Sequence, residues 1–182
     1  MLKRISAAWA RVEMASAALL AFAVTLLILL NVVTRSLNSA LFWVDEAAIY
    51  TMVWMTFLGA SAAIHYRQQV AITIVTDPLP LVARRIAAKI VDALIFVFAA
   101  AMLYFCWRWY LPADIWNAGF DTVAFQGNTF NFIYAEPTST IGIQKWIIWL
   151  VMPLFSLGVF LHALTHLLDF DPPEAHRQGV AT

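Results

Sequence analysis

The residues in this 182-residue sequence whose types could do chemistry are few: four histidines, His65, His162, His166 and His176, and one cysteine, Cys106. Two facing imidazoles can ligate haem b inside a helical bundle. His65 closes one long apolar run, and His162 and His166 close another on the same side, so a single haem site between them is geometrically possible. An ordinary reading competes. His162 and His166 stand close to the acidic Asp169 and Asp171, and we take them as interfacial residues. Cys106 lies alone within an apolar run, which excludes a disulfide framework and predicts a buried, inert thiol. The sequence contains no nucleophile elbow, phosphate loop, zinc-ligand spacing or His-Glu-x-x-His. We therefore expect no catalytic residue, no enzyme activity, and no metal or cofactor on this chain.

The remaining polar residues gather at one place. Asn31 and Arg35 close the first apolar run, and Trp43, Asp45 and Glu46 open the second across a turn of a few residues. Those ends must be neighbours, so Arg35 is expected to reach Asp45 or Glu46. The carboxylates also stand at a helix N-terminus, where the dipole favours them. The cluster is expected to pin the hairpin, or to serve as an interface to a second protein.

The elements that position these residues follow from composition. Apolar residues make up 63% of the chain and charged residues only 12%, against about 45–50% and 25% in soluble domains. Lipid is the solvent that tolerates such a surface. Four runs are long enough for helices that cross a hydrocarbon core, which takes ~20 residues each. They lie at about 14–33, 44–64, 90–109 and 146–168. The expectation is an all-α membrane protein of four transmembrane helices, one membrane domain over 1–182. The first run is too long for the core of a cleaved signal peptide and is expected to be retained. Pro153 in the last run is tolerable because neighbours can re-satisfy the freed backbone groups. Lys+Arg and Asp+Glu are each 11, so no basic excess points to nucleic acid.

The cations are distributed unevenly. Lys3, Arg4, Arg11, Arg67, Arg84, Arg85, Lys89 and Arg177 fall on one side, and only Arg35, Arg108 and Lys145 on the other. The positive-inside rule then places both termini in the cytoplasm. Trp43, Trp107, Trp109, Trp146 and Trp149 mark the outer boundary and Trp9 the inner one. Leu2, Ile5, Trp9 and Val12 recur at helical spacing, so the N-terminal stretch is expected to be an amphipathic helix lying in the inner interface against membrane lipid. The alternative is an extension of the first span.

The segment 111–145 is long for a membrane loop, and it is aromatic. Trp116, Phe120, Phe125, Phe130 and Phe132 are not expected to be free in water, so the loop is expected to lie on the membrane surface or against a partner. Asn128–Tyr134 alternates enough to predict a short strand. In the second run Gly59, Ala60, Ala62 and Ala63 form a small-residue patch that admits close helix approach. Trp54 and Phe57 sit away from the aromatic belts, facing lipid or another helix. No Asp, Glu, Lys, Arg or His lies at 18–29, 50–63, 96–105 or 148–161, whereas solute and ion pathways usually leave such a mark. A self-sufficient exporter is therefore not expected.

The run Asn31-Val32-Val33-Thr34-Arg35, then Trp43-Val44-Asp45-Glu46, then Trp54-Met55-Thr56-Phe57-Leu58-Gly59-Ala60 resembles the DctQ-like small permease subunit of TRAP transporters, the tripartite ATP-independent periplasmic transporters. Pro153 fits the family's last helix. Where members often carry His-Ile-x-Val, Gln69-Val70-Ala71-Ile72 stands here. The resemblance implies a multi-pass protein of the bacterial inner membrane. It implies a large permease partner that holds the solute and sodium sites, and a periplasmic binding protein that delivers the solute. It implies sodium-coupled uptake of an organic acid, with this chain as scaffold and the 111–145 loop as a contact for the binding protein. The runner-up is a haem-bearing or structural small subunit of another inner-membrane complex.

Overall fold

The computed structural model describes residues 1–68 and 80–169. Gln69–Ile72, Asp171, His176 and Arg177 lie outside these residues. Among the described residues seven helices follow in chain order: α1 (Leu2–Ser36), α2 (Phe42–His65), α3 (Leu81–Tyr110), α4 (Pro112–Asn117), α5 (Thr122–Thr129), α6 (Lys145–Trp149) and α7 (Val151–Leu167). Among the described residues four stretches are long and apolar enough to cross a membrane: Leu2–Ser36, Phe42–His65, Leu81–Asn117 and Lys145–Leu167.

The N-terminal stretch is not a separate helix. It runs unbroken into the first span, because no Gly or Pro interrupts residues 2–36. A 35-residue helix is about 52 Å long, so α1 outreaches a hydrocarbon core of about 30 Å. Its faces are also the reverse of the expectation. Ile5 and Val12 are exposed, while Ser6, Ala10, Glu13 and Ala17 are buried. In water the apolar stripe would turn inward. Where lipid solvates apolar side chains, the inward stripe is the small and polar one.

α7 is the centre of the bundle. It packs on α1, α2 and α3, and α1 packs along α2. Small residues allow this closeness: Gly158, Ser156, Ala163 and Thr165 are all buried on α7. The outward faces carry Leu19, Phe22, Leu26, Leu94, Val97 and Phe98, all exposed. The fourth span breaks at Leu150, ahead of Pro153. Side chains satisfy carbonyls around the break: Trp54 Nε1 donates to Ile148 O at 2.9 Å, and Tyr110 OH to Trp146 O at 3.0 Å.

The α1–α2 turn places Asn38 in the left-handed region, φ +54°, which Asn tolerates well. α3 ends where Leu111 turns left-handed and Pro112 opens α4. The expected strand at 128–134 does not form. Asp121 caps α5 instead, its side chain accepting from Val123 N at 2.9 Å and Ala124 N at 3.2 Å, and the helix runs through Thr129. Beyond it an isolated antiparallel bridge joins Pro137 and Gln144. The loop has a core of its own. Ile115, Phe125 and Ile133 are buried there, with Tyr110, Leu111, Tyr134 and Trp146 packed around them.

Candidate functional site

Two polar layers close the ends of the bundle. The first is the hairpin end. Arg35 Nη2 meets Asp45 Oδ2 at 2.6 Å, Arg35 Nε donates to Asn31 Oδ1 at 2.9 Å, and Asn31 Nδ2 donates to Asp45 Oδ1. Arg35 and Asp45 are 58% and 41% exposed, so the ion pair is worth about 1 kcal/mol or less. Glu46 does something different. It accepts five donors: Ser139 N (2.8 Å), Thr140 N (2.6 Å), Thr140 Oγ1 (2.6 Å), Ile141 N (3.1 Å) and Tyr50 OH (3.0 Å). A carboxylate offers acceptors only, and successive backbone N–H groups make an anion nest. Glu46 thereby ties the outer loop to the start of α2. Trp43 is exposed beside this layer.

The second layer lies at the end that holds Met1 and Leu167. Glu13 and His162 are 1% and 0% exposed. Glu13 Oε1 accepts from Trp9 Nε1 at 2.7 Å, and Glu13 Oε2 lies 3.0 Å from His162 Nε2. His162 Nδ1 is 2.8 Å from Ser6 Oγ, which is 2.9 Å from His65 Nδ1. His166 Nε2 binds Ile64 O at 3.1 Å. Around this cluster Arg67 pairs with the buried Asp92 at 2.9 Å. Lys89 Nζ reaches the carbonyl of His166 in the last turn of α7 and that of Asp169 just past it, at 2.6 Å each, a cation where the helix dipole favours one. Lys3 meets Asp169 at 2.9 Å. Gly158 makes room for the cluster. A Cβ there would stand 2.2 Å from Glu13 Oε1 and 2.5 Å from Ser61 Oγ.

The two layers are one membrane apart. Glu13 to Arg35 on α1 is about 33 Å of helix, and Asp45 to His65 on α2 about 30 Å, against a hydrocarbon core of about 30 Å. Between them the interior is apolar or small, with Ala17, Leu58, Ala99, Val151 and Val159 buried. Ser156 bonds its own helix carbonyl, Met152 O, at 2.7 Å.

The residues singled out on α2 divide. Trp54 is spent on the Ile148 carbonyl, and Phe57 packs edge-on to Phe155 at 5.0 Å between ring centres. Gly59 faces Ala17 of α1, and Ala63 is half-buried. Only Ala60 of the set is exposed. The aromatic loop divides too. Trp116, Phe120, Phe130 and Phe132 are exposed, but Phe125 is 1% exposed and is a core residue, because the cap at Asp121 turns it inward beneath Tyr134. Burial pushes the Tyr134 phenol above its ordinary value, and its OH donates to Tyr110 O at 2.6 Å.

His65 and His162 converge on one hydroxyl with their ring centres 4.9 Å apart. Among the described residues no three His, Cys, Asp or Glu side chains gather as a metal would require. Cys106 is buried and free. The Ser6–Glu13–His162 cluster was not anticipated from the sequence, although a signal was present. Ser6, Ala10, Glu13 and Ala17 recur at helical spacing, as do Gly158, His162 and His166.

Residues 24–171 match the family model described as tripartite ATP-independent periplasmic transporters, DctQ component. The chain belongs to the DctQ family. It is a family of transporter components and not of enzymes. This DctQ chain is 32% identical over 74 residues to a TRAP transporter small permease protein of Haemophilus influenzae, covering 40% of the chain and 46% of that relative. It is 27% identical over 101 residues to the C4-dicarboxylate TRAP transporter small permease protein DctQ of Vibrio cholerae, covering 55% of the chain and 44% of that relative. In both cases the match spans less than half the relative's length. No solved structure matches.

Proposed function

We propose that this chain is the small membrane subunit of a sodium-coupled TRAP transporter for the uptake of an organic acid. It acts as a scaffold for the large permease in the bacterial inner membrane and does not bind the solute itself. Family membership supports the transporter assignment. The observation that carries the scaffold role is the spacing of the two polar layers. Polar groups close both ends of the bundle, and for the thickness of a hydrocarbon core the interior between them is apolar or small, with no charged side chain among the buried residues. A solute or ion crossing there would meet no replacement for its water, at a cost of several kcal/mol. The sodium and solute sites then belong to the large permease, and no cofactor is assigned to this chain. The Vibrio cholerae relative is named for C4-dicarboxylates, which supports the organic-acid class.

The surfaces assigned to partners are those the bundle does not use itself. On α2 these are Ile49, Met52, Thr56 and Ala60, exposed at helical spacing. On the outer loop they are Trp116, Phe120, Phe130 and Phe132, which we assign to contact with a periplasmic binding protein. Reconstitution into liposomes under a sodium gradient tests the reading. The chain alone is expected to give no uptake. The chain together with a large TRAP permease and a periplasmic binding protein is expected to give sodium-dependent uptake. Robust uptake by the chain alone would overturn the scaffold role.

A further inference from the structure

We propose that Ser6, Glu13, His65 and His162 form a buried proton-binding site, in which a proton entering at His65 is relayed through Ser6 and His162 and comes to rest on Glu13. The hydrogen-bond order carries the proposal. Four groups from three helices form an unbroken chain: His65 Nδ1 to Ser6 Oγ (2.9 Å), Ser6 Oγ to His162 Nδ1 (2.8 Å), and His162 Nε2 to Glu13 Oε2 (3.0 Å). Ser6, Glu13 and His162 are each 1% exposed or less. His65, only half-buried, is the mouth.

The protons can be placed. With Glu13 ionised, Oε2 accepts from His162 Nε2–H. The His162 Nδ1 is then an acceptor and takes the Ser6 O–H. Ser6 Oγ in turn accepts from His65 Nδ1–H. Every member is satisfied, and one negative charge sits at the inner end. Adding one proton at His65 Nε2 reverses each bond. His65 Nδ1 passes its hydrogen to Ser6 Oγ, Ser6 passes its own to His162 Nδ1, and His162 Nε2 passes its own to Glu13 Oε2. Four bonds to hydrogen form and three break, with the incoming proton making the balance. Both imidazoles end neutral in the other tautomer, and Glu13 ends as the carboxylic acid. Histidine and serine can each donate and accept at once, as such a relay requires.

The relay stops at Glu13. Its other oxygen accepts from Trp9 Nε1 at 2.7 Å, and an indole N–H can give no proton onward and accept none. Ser61 Oγ, buried and without a hydrogen-bond partner, stands by the same Gly158 surface. The arrangement is therefore a site and not a passage. The charged groups facing it are Lys3 on α1, Arg67 just past α2, Asp92 and Lys89 on α3, His166 on α7 and Asp169 just past α7. Arg67 is held by Asp92, and Lys3 by Asp169. Lys89 is held by the carbonyls of His166, Leu167 and Asp169. These groups are engaged with one another, which leaves Glu13 as the carboxylate His162 addresses. Proton uptake removes the charge that α1 presents to α7, so the contact between the two helices changes character with proton occupancy.

The test uses the full chain in lipid nanodiscs with nitrogen-15 histidine, titrated across the range in which histidine ionises. Infrared difference spectra report the carboxylic acid band of Glu13, and nitrogen shifts report each imidazole tautomer. We expect the band to appear and both rings to exchange tautomers at one shared midpoint. Glu13→Gln should lose the band. Ser6→Ala should uncouple the rings, so that His65 titrates to imidazolium at a midpoint of its own. If Glu13→Gln fails to fold, the unsubstituted chain and Ser6→Ala decide the matter. Separate midpoints in the unsubstituted chain would overturn the proposal. So would a His162 imidazolium beside a Glu13 that stays ionised, or a band that survives Glu13→Gln.

Discussion

At the scale of the residue, two positions hold more of the structure than their neighbours in sequence suggest. Gly158 is the surface on which Glu13, Ser61 and Trp9 converge, and a methyl group there would overlap Glu13 Oε1 at 2.2 Å. Glu13 cannot retreat without leaving His162 or Trp9 unpaired in a buried place. Gly158→Ala is therefore expected to destabilise the chain by about 1–3 kcal/mol, as overpacking does, and thermal unfolding in detergent would measure it. An unchanged melting midpoint would show that the cluster yields freely. Glu46 is the second position. Its oxygens end three backbone N–H groups, at Ser139, Thr140 and Ile141. Glu46→Gln replaces an acceptor with a donor facing those donors. Amide exchange at Ser139–Ile141 should accelerate while exchange in α2 does not, and equal protection in both proteins would count against the nest.

At the scale of the element, the broken fourth span and the outer loop are each held by a specific contact. The break between α6 and α7 places the Ile148 carbonyl against Trp54 Nε1. Trp54→Phe keeps most of the ring and removes the donor, with an expected loss of about 1 kcal/mol. Reversible unfolding in mixed micelles would read it. A loss near zero would mean that another donor takes the carbonyl. The loop offers a paired comparison. Phe125 is 1% exposed and Phe130 is 83% exposed. Phe125→Ala is expected to cost about 3–5 kcal/mol, and because that core is the loop's own, protease should cut between α4 and α6 while the four spans stay intact. Phe130→Ala should leave cleavage unchanged. Equal sensitivity in the two variants would contradict the separate core.

At the scale of the whole molecule, the cations sort by end. Lys3, Arg67 and Lys89 make their bonds at the end that holds Met1, and Arg35 and Lys145 at the loop end. The positive-inside rule then predicts a cytoplasmic N-terminus and a periplasmic loop. A single cysteine at Gln126, with Cys106 replaced by Ala, should react with an impermeant thiol reagent in intact spheroplasts. A cysteine at Lys3 should react only after lysis. The reverse labelling pattern would invert the topology.

The sequence alone determined the number of long apolar helices, the all-helical class and the family. Each of these is set by long apolar runs or by an ordered set of local residues, which need no knowledge of packing. The hairpin cluster was also visible, because Asn31, Arg35, Asp45 and Glu46 are brought together by a turn too short to separate them. Only the tertiary structure decided which face of each helix turns inward. Hydropathy cannot do this in lipid, where an apolar side chain gains little by being buried against another helix. For that reason Ile5 and Val12 point outward, and Trp54, Phe57 and Phe125 are occupied within the chain itself. The bonds linking Glu13 and Ser6 to His162 span 149 and 156 residues, and no local pattern in either helix names the other.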